Sequence, residues 1–402
     1  MDSITRYLPL LLERCAADTG LMTHPLSWLV RSEARTWRTE PLDSISTFHA
    51  SLPEYAPSPL VELPEIAREL GVARVYVKDE SSRLGLPAFK ILGASYAVSR
   101  ALSAHFGVAD RALPLDELRS LAAKSGVPTL IAATDGNHGR AVAHTARLIG
   151  ALSRIFVPAG ISRAAIDAIA AEGAAVTELE LEYDDVVAAA SDAAQVAGSD
   201  ALLIQDTAWP GYESIPQWIV DGYATLFEEI DAQLEAAGAG APSLVAVPVG
   251  VGSLAQAAVR HYRAANRHDY PTLLSVEADR APAIIASLDA GAPTSVPTSQ
   301  TIMAGLNCGT VSANAWPYLS GGMDAAVTVS DESAAQAVHD LERSGVDSGP
   351  CGASTLAGVR AAARHAAAEP TGTEIGLGTD ATIVLLSTES RTANPLPERF
   401  QR

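Results

Sequence analysis

The sequence predicts an α/β protein with two parallel-sheet αβα domains. Two observations carry that expectation. Apolar runs rich in Val, Ile and Leu alternate with helical stretches along most of the chain, the pattern of parallel strands covered on both faces. The chain also has 402 residues, 48% of them hydrophobic and 19% charged, which suits two domains around two cores and excludes a disordered polypeptide.

The first fifty or so residues are mixed, Pro-containing and weakly periodic, and read as a partly irregular arm packed on the body. YAPSPL, starting at Tyr55, is an extended approach to a short amphipathic helix over 64–70, which Gly71 ends. The strand 75–77 follows. Further strands are expected over 129–133, 154–157, 174–179, 202–204, 244–249, 273–277, 325–329 and 382–387. Helices are expected over 95–104, 137–149, 163–172, 214–237, 254–264 and 332–344. The stretches near 238–243 and 291–299 are loops, and no repeat of fixed period is present.

Charge and composition narrow the function classes. The formal charge is 28 − 47 = −19. Such a field repels phosphates, which argues against nucleic acid and anionic membranes as partners. A bound phosphate has to be held locally, by backbone N–H groups and helix ends. The three cysteines, Cys15, Cys308 and Cys351, form no CxxC and no pairable framework, as expected in a reducing compartment. The apolar run Leu8 to Leu12 is cut off by Glu13 and Arg14, so neither a signal peptide nor a membrane span is expected, and the cytoplasm is the default location. The nine histidines are scattered and include no HxxxH or Cys/His cluster, so no metal site is expected. His138 and His144, six residues apart, do not share a helix face. The chain has only three lysines, Lys78, Lys90 and Lys124, so lysine chemistry has three candidates.

Four stretches carry chemistry. In KDESSRLGLPAFKILGASYA (78–97), Lys90 sits at a loop-to-helix junction between Phe89 and Ile91. A lysine in an apolar setting can attack an aldehyde as the neutral amine; alone, it would read as a surface lysine at a helix start. In AATDGNHGRAVAHTAR (132–147), a strand meets a glycine-bearing turn and a helix. Gly136 and Gly139 allow close approach of a ligand, the helix start offers N–H groups to a carboxylate, and Asn137 can donate to a phenolic oxygen. Asp135 or Asn137 would equally serve as a helix cap. In VPVGVGSLAQA (247–257), Gly250, Val251, Gly252, Ser253 and Leu254 can aim N–H groups at a phosphate, and Ser253 adds a hydroxyl. The GxGxxG spacing fails at Ala255, so this is not a dinucleotide fingerprint. In ATIVLLSTES (381–390), a buried strand ends in Ser387 and Thr388. A neutral hydroxyl there suits an unprotonated pyridine nitrogen, although an ordinary polar strand end reads the same way.

In this order the stretches resemble the fold type II (tryptophan-synthase β-like) pyridoxal phosphate (PLP) enzymes from about Tyr55 to Ser390. The nearest likeness is to the diaminopropionate ammonia-lyases. It rests on RxGLxAFK at 83–90, ATDGNHGR at 133–140, QDTAW at 205–209, TIMAGLNCG at 301–309 and LSTES at 386–390. The resemblance implies a homodimer with PLP in the cleft between two domains, a large one of residues 1–90 and 215–402 and a small inserted one of residues 91–214. It implies Lys90 as the lysine that carries the cofactor as an imine, with Phe89 beside it. Asn137 is then near the cofactor's phenolic oxygen, residues 250–254 form the phosphate cup, and Ser387 or Thr388 is near the pyridine nitrogen. Thr134, Asp135, Gly136, His138 and Asp206 become the substrate side.

Serine and threonine dehydratases, which the chain also resembles, usually have Ser where this chain has Asp135. A carboxylate there suits a substrate with a second positive charge. The implied reaction is elimination of ammonia from 2,3-diaminopropionate to give pyruvate. Asp135 and Lys90 are candidate bases on opposite faces, and Asp206 takes a substrate-facing role. A serine or threonine dehydratase, a β-replacement enzyme on the same scaffold, and a PLP-binding regulator without turnover are the alternatives. Two stretches depart from the pattern. Ala278-Asp279 follows Glu277 where Pro is more usual, and GVDSGPCGAST (345–355) matches its Ser-Gly-rich counterpart only loosely.

Overall fold

A computed structural model describes residues 27–108, 110–134, 136–368 and 375–401. Asp135 lies outside the described residues, as do the first 26 residues with Cys15. Two sheets are present among the described residues. The larger has seven strands in the order β1-β10-β9-β8-β11-β3-β2. These are β1 (Trp28–Val30), β2 (Leu60–Glu62), β3 (Arg74–Asp79), β8 (Leu244–Pro248), β9 (Thr272–Ala278), β10 (Ala325–Val329) and β11 (Thr382–Ser387). The smaller sheet has the order β6-β5-β4-β7 and is wholly parallel. It contains β4 (Thr129–Ala133), β5 (Ser153–Pro158), β6 (Ala175–Leu179) and β7 (Ala201–Leu203).

The expected parallel strands hold at the centre of the large sheet, where β10, β9, β8, β11 and β3 run together. The two edges differ. β1 pairs antiparallel with β10, and β2 pairs antiparallel with β3. Both edge strands are short and half-buried, and they shield the buried parallel strands from end-on pairing. The amino-terminal arm is therefore partly regular, since Trp28, Leu29 and Val30 join the sheet.

The helices in chain order are α1 (Ser46–Ala50), α2 (Pro64–Leu70), α3 (Lys90–Phe106), α4 (Leu115–Ser125), α5 (Asn137–Ile149), α6 (Arg163–Ala171) and α7 (Tyr183–Ala197). They continue with α8 (Ser214–Gly222), α9 (Ala224–Ala236), α10 (Ser253–Tyr262), α11 (Ala283–Ala290), α12 (Trp316–Gly322), α13 (Asp331–Arg343) and α14 (Pro350–Ala368). Six of these, α1, α4, α7, α11, α12 and α14, were not expected. α7 and α14 are Ala-rich, a weak signal for the apolar stripe that marks an amphipathic helix, and tertiary packing holds them.

The helix expected over 214–237 is two helices, broken at Tyr223. Packing explains the break. A methyl group on Gly222 would lie 2.6 Å from the Leu92 carbonyl oxygen and 2.7 Å from the Gly93 Cα, so α8 crosses α3 at backbone contact. In α9, Glu229 and Gln233 reach Lys78 of β3 in the large sheet. Lys90 opens α3, so this crossing fixes the helix that carries it.

Candidate active site

In open α/β sheets, ligands bind outside the carboxyl ends of the parallel strands. Here β11 ends at Ser387, β8 at Pro248 and β4 at Ala133, and a cavity of about 440 Å³ opens beyond them. It is lined by Phe89, Lys90, Asn137, Asp206, residues 248–255 and Thr388. A second hollow of about 430 Å³ adjoins it and shares Asn137, Gly305 and Glu389 as wall. Gly136 lines that second hollow.

Of the three lysines, the surroundings leave one for the cavity. Lys78 is buried, and its Nζ donates to Glu229 Oε2 (2.7 Å), Gln233 Oε1 (2.8 Å) and the Ser58 carbonyl (2.8 Å). Lys124 is exposed at the end of α4. Lys90 is half-buried on the cavity wall, and its Nζ donates to Asp206 Oδ2 at 2.8 Å.

The loop before Lys90 is pinned from both sides. Arg83 is fully buried. It reaches both oxygens of Glu80 (2.8 and 2.6 Å), both oxygens of Glu229 (2.7 Å each) and Ser58 Oγ (2.8 Å). The Phe89 N–H donates to the Thr388 carbonyl (3.1 Å), and the Ser390 N–H donates to the Pro87 carbonyl (2.9 Å). The amine is thereby laced to the end of β11.

Asp206 is buried at the centre of the polar cluster. Burial pushes its carboxyl upward, but Lys90 and His138 outweigh that and hold it well below the usual carboxylate range. The His138 ring places Nδ1 3.9 Å from Asp206 Oδ2, while Nε2 lies 2.7 Å from the Ile204 carbonyl. A carbonyl only accepts, so Nε2 carries a proton, and Nδ1 has no hydrogen-bond partner among the described residues. Tyr223 lies against Lys90 and packs its ring 4.7 Å from that of Phe89; burial first, and the Asp206 charge after it, push its phenol up to about 12, against the opposing pull of Lys90.

The turn after β8 has the makings of an anion cup. Gly252 has φ 105°, and a methyl group there would come within 2.8 Å of Leu319 Cδ1. A methyl group on Gly250 would come within 2.7 Å of the Gly305 carbonyl oxygen. The turn is therefore glycine-only, and it aims the free N–H groups of the α10 start into the cavity. Ser253 spends its hydroxyl on the Asp206 carbonyl (3.2 Å), and Val251 and Leu254 complete the cup wall.

Several expected residues sit behind the wall. Thr134 is buried, and its hydroxyl accepts from the N–H groups of Gly136 (2.9 Å) and Gly139 (3.0 Å), which shapes the turn before α5. His138 is buried behind Asp206. Ser387 is buried, outside the cavity lining, with its hydroxyl unpartnered among the described residues. Thr388 faces the cavity.

Sequence reasoning missed Tyr223 and Glu389. Glu389 is a buried carboxylate on the cavity wall. It was in plain sight next to Thr388, but only the fold brings α14 to it. Thr301 and residues 304–308 also line the cavity, so the quoted TIMAGLNCG stretch forms a wall.

An amine, a glycine-only cup at a helix start, an amide at Asn137 and a strand-end hydroxyl match the aldehyde, phosphate, phenolic oxygen and ring nitrogen of PLP. The cavity volume is that of an ordinary small-molecule site. Comparison with known proteins agrees. A family model described as pyridoxal-phosphate dependent enzyme matches residues 52–384. The chain is 33% identical over 365 residues to a diaminopropionate ammonia-lyase of Salmonella typhimurium, covering 88% of this chain and 90% of that one. The crystal structure of the holo diaminopropionate ammonia-lyase of Escherichia coli superposes with a TM-score of 0.81 at 32% identity, over 91% of this chain and 94% of that one. The same enzyme in complex with an aminoacrylate-PLP azomethine reaction intermediate gives 0.78 at 31% identity, over 91% and 96%. With Lys90, the glycine turn, Asn137 and Thr388 on one cavity and the family match covering residues 52–384, the chain belongs to the pyridoxal-phosphate dependent enzymes, in their fold type II branch.

Proposed function

We propose that this enzyme eliminates ammonia from 2,3-diaminopropionate to give pyruvate. The observation that carries the reading is the Lys90–Asp206 pair, 2.8 Å apart on the cavity wall. The likeness to diaminopropionate ammonia-lyases over nearly the whole chain supports it.

PLP, when bound, supplies an aldehyde for an amine and an electron sink for charge at the substrate Cα. Lys90 is the residue to hold it, with residues 250–254 at the phosphate, Asn137 at the phenolic oxygen and Thr388 at the ring nitrogen. Asp206 keeps a negative charge beside the reacting amine. That charge favours the form of Lys90 that has just taken up a proton, and it attracts the second ammonium of the substrate. Asp135 is the proposed base on the opposite face and the selector for that ammonium. Lys90 moves a proton on its own face.

Two domains, 1–90 with 215–402 and 91–214, follow the two sheets in this reading, with a homodimer as the assembly and the cytoplasm as the location. Among the described residues no helix is long and apolar enough to cross a membrane.

The test is release of ammonia and pyruvate from D- and L-2,3-diaminopropionate, serine and threonine, with no added nucleophile. Diaminopropionate should be the best substrate, and Lys90→Ala should lose both turnover and the visible cofactor band. Asp135→Ser should shift the ratio toward serine. Equal rates on serine and diaminopropionate in the unsubstituted protein would refute the assignment.

A further inference from the structure

The break between α8 and α9 puts Tyr223 against the first turn of α3. Its side chain is fully buried. The ring lies 4.7 Å from that of Phe89, and a methyl group on Gly93 would come within 2.6 Å of Tyr223 Cε1. Lys90 and Gly93 are three residues apart and share a face of α3. The bare Gly93 therefore admits the ring to the face that carries the amine. Lys90 and Asp206 line the cavity and Tyr223 does not, so the phenol meets Lys90 from behind the wall. Its hydroxyl makes no well-formed hydrogen bond among the described residues. A buried hydroxyl in that state is costly and calls for a reason.

The amine of Lys90 supplies one. Its nitrogen has four positions, and Cε occupies the first. Asp206 Oδ2 holds the second, at 2.8 Å. With that acceptor alone, the other N–H and the lone pair of the neutral amine can exchange places. A second acceptor behind the nitrogen settles the choice: both N–H groups are held, and the lone pair faces the cavity. We propose that Tyr223 is a positioning residue for Lys90, its phenol oxygen being that second acceptor, which points the amine's lone pair at the substrate Cα. This rests on the reading above, in which Lys90 moves a proton on its own face. When the lone pair takes the Cα proton, the electron pair of the broken C–H bond stays with the substrate. The new N–H fills the cavity position, and Asp206 and Tyr223 keep the other two. The phenol retains its own proton, because burial and the Asp206 charge push it up to about 12. Asp206 bonds the amine directly and His138 stands behind Asp206, so Tyr223 adds an acceptor without adding a charge.

Tyr223→Phe tests the hydroxyl alone, since the ring beside Phe89 and Gly93 remains. Two readouts should move in opposite directions. The first is the rate at which the visible cofactor band appears when PLP is added to the cofactor-free full chain across a pH series. Only the neutral amine attacks an aldehyde, so the midpoint of that profile reports Lys90. A second acceptor favours the ammonium over the amine, so its loss should lower the midpoint by about one pH unit, the scale of one charge-assisted hydrogen bond. Below the midpoint the band should then form about tenfold faster. The second readout is turnover of 2,3-diaminopropionate, where kcat should fall about ten- to a hundredfold with KM little changed. Damaged packing would slow both. Tyr262→Phe is the control: that tyrosine, on α10, is also fully buried with an unpartnered hydroxyl among the described residues, and its loss should move neither readout. An unmoved or raised midpoint in Tyr223→Phe overturns the proposal, as does an unchanged kcat or a loss confined to KM. Failure of the elimination reading looks different: the unsubstituted protein then forms the band without turning over diaminopropionate, and the midpoint alone decides for Tyr223.

Discussion

At the residue scale the decisive contrast is between Lys78 and Lys90. Each is bonded to a carboxylate, but Lys78 is sealed among Glu229, Gln233 and Ser58, while Lys90 faces the cavity with Asp206 behind it. The sequence singles out Lys90 by its motif, and it names Asp206 through QDTAW. It cannot say that the two touch, because 116 residues separate them. Asp206→Asn tests what that contact does. The amide keeps the shape and removes the charge, so Lys90 loses its buried counter-ion. Turnover should fall by about 10²–10⁴, the usual range for a group that assists proton transfer, while the visible cofactor band persists. A loss confined to KM would place Asp206 in substrate binding alone.

At the element scale, the helix that carries Lys90 is stapled by a group that no motif marks. His49 on α1 is fully buried, with Nε2 2.9 Å from the Leu92 carbonyl of α3 and Nδ1 2.8 Å from Thr225 Oγ1 of α9. Burial lowers its pKa to about 4. The folded state therefore resists a proton that the unfolded chain accepts near 6.5. This contribution to stability is complete above about pH 6.5 and is lost as the pH falls toward 4. Urea unfolding at pH 7.5 and 4.5 should show the unsubstituted protein losing roughly 2–3 kcal/mol more than His49→Gln, whose amide does not titrate. Equal losses would mean that His49 is already charged in the fold. The same scale separates what was legible from what was not. The strands β3, β4, β8 and β11 were readable because their apolar runs stand between turn residues. The break at Tyr223 was hidden, since Gly222 meets Gly93 from a distant helix and no local pattern records it. The long helix α14 was hidden behind its Ala-rich composition, and with it the partner of Glu389.

At the scale of the whole molecule, the motifs in the sequence located the cavity because a parallel α/β fold gathers strand ends, and four of the five follow one, TIMAGLNCG being the exception. They did not reveal the scaffold of charge beneath it. Arg83 was legible only as a letter of the lysine motif. In the fold it ties together three separate parts of the chain: the segment at Ser58, the loop to Lys90 and α9 through Glu229. Replacing it with methionine keeps the bulk and leaves two buried carboxylates. Glu229 retains Lys78 at 2.7 Å, but Glu80 loses the only cation the ion pairs among the described residues give it. Removing one partner from a buried pair costs about 3–5 kcal/mol, so Arg83→Met should lower the urea midpoint sharply. Adding Glu80→Gln removes the stranded charge and should recover part of that loss, whereas two independent sites would add their costs. If the double variant is less stable than Arg83→Met, Glu80 contributes through its bonds to Ser58 and not through its charge. In either case the visible cofactor band should weaken in step with stability, because the loop that Arg83 anchors ends at Lys90.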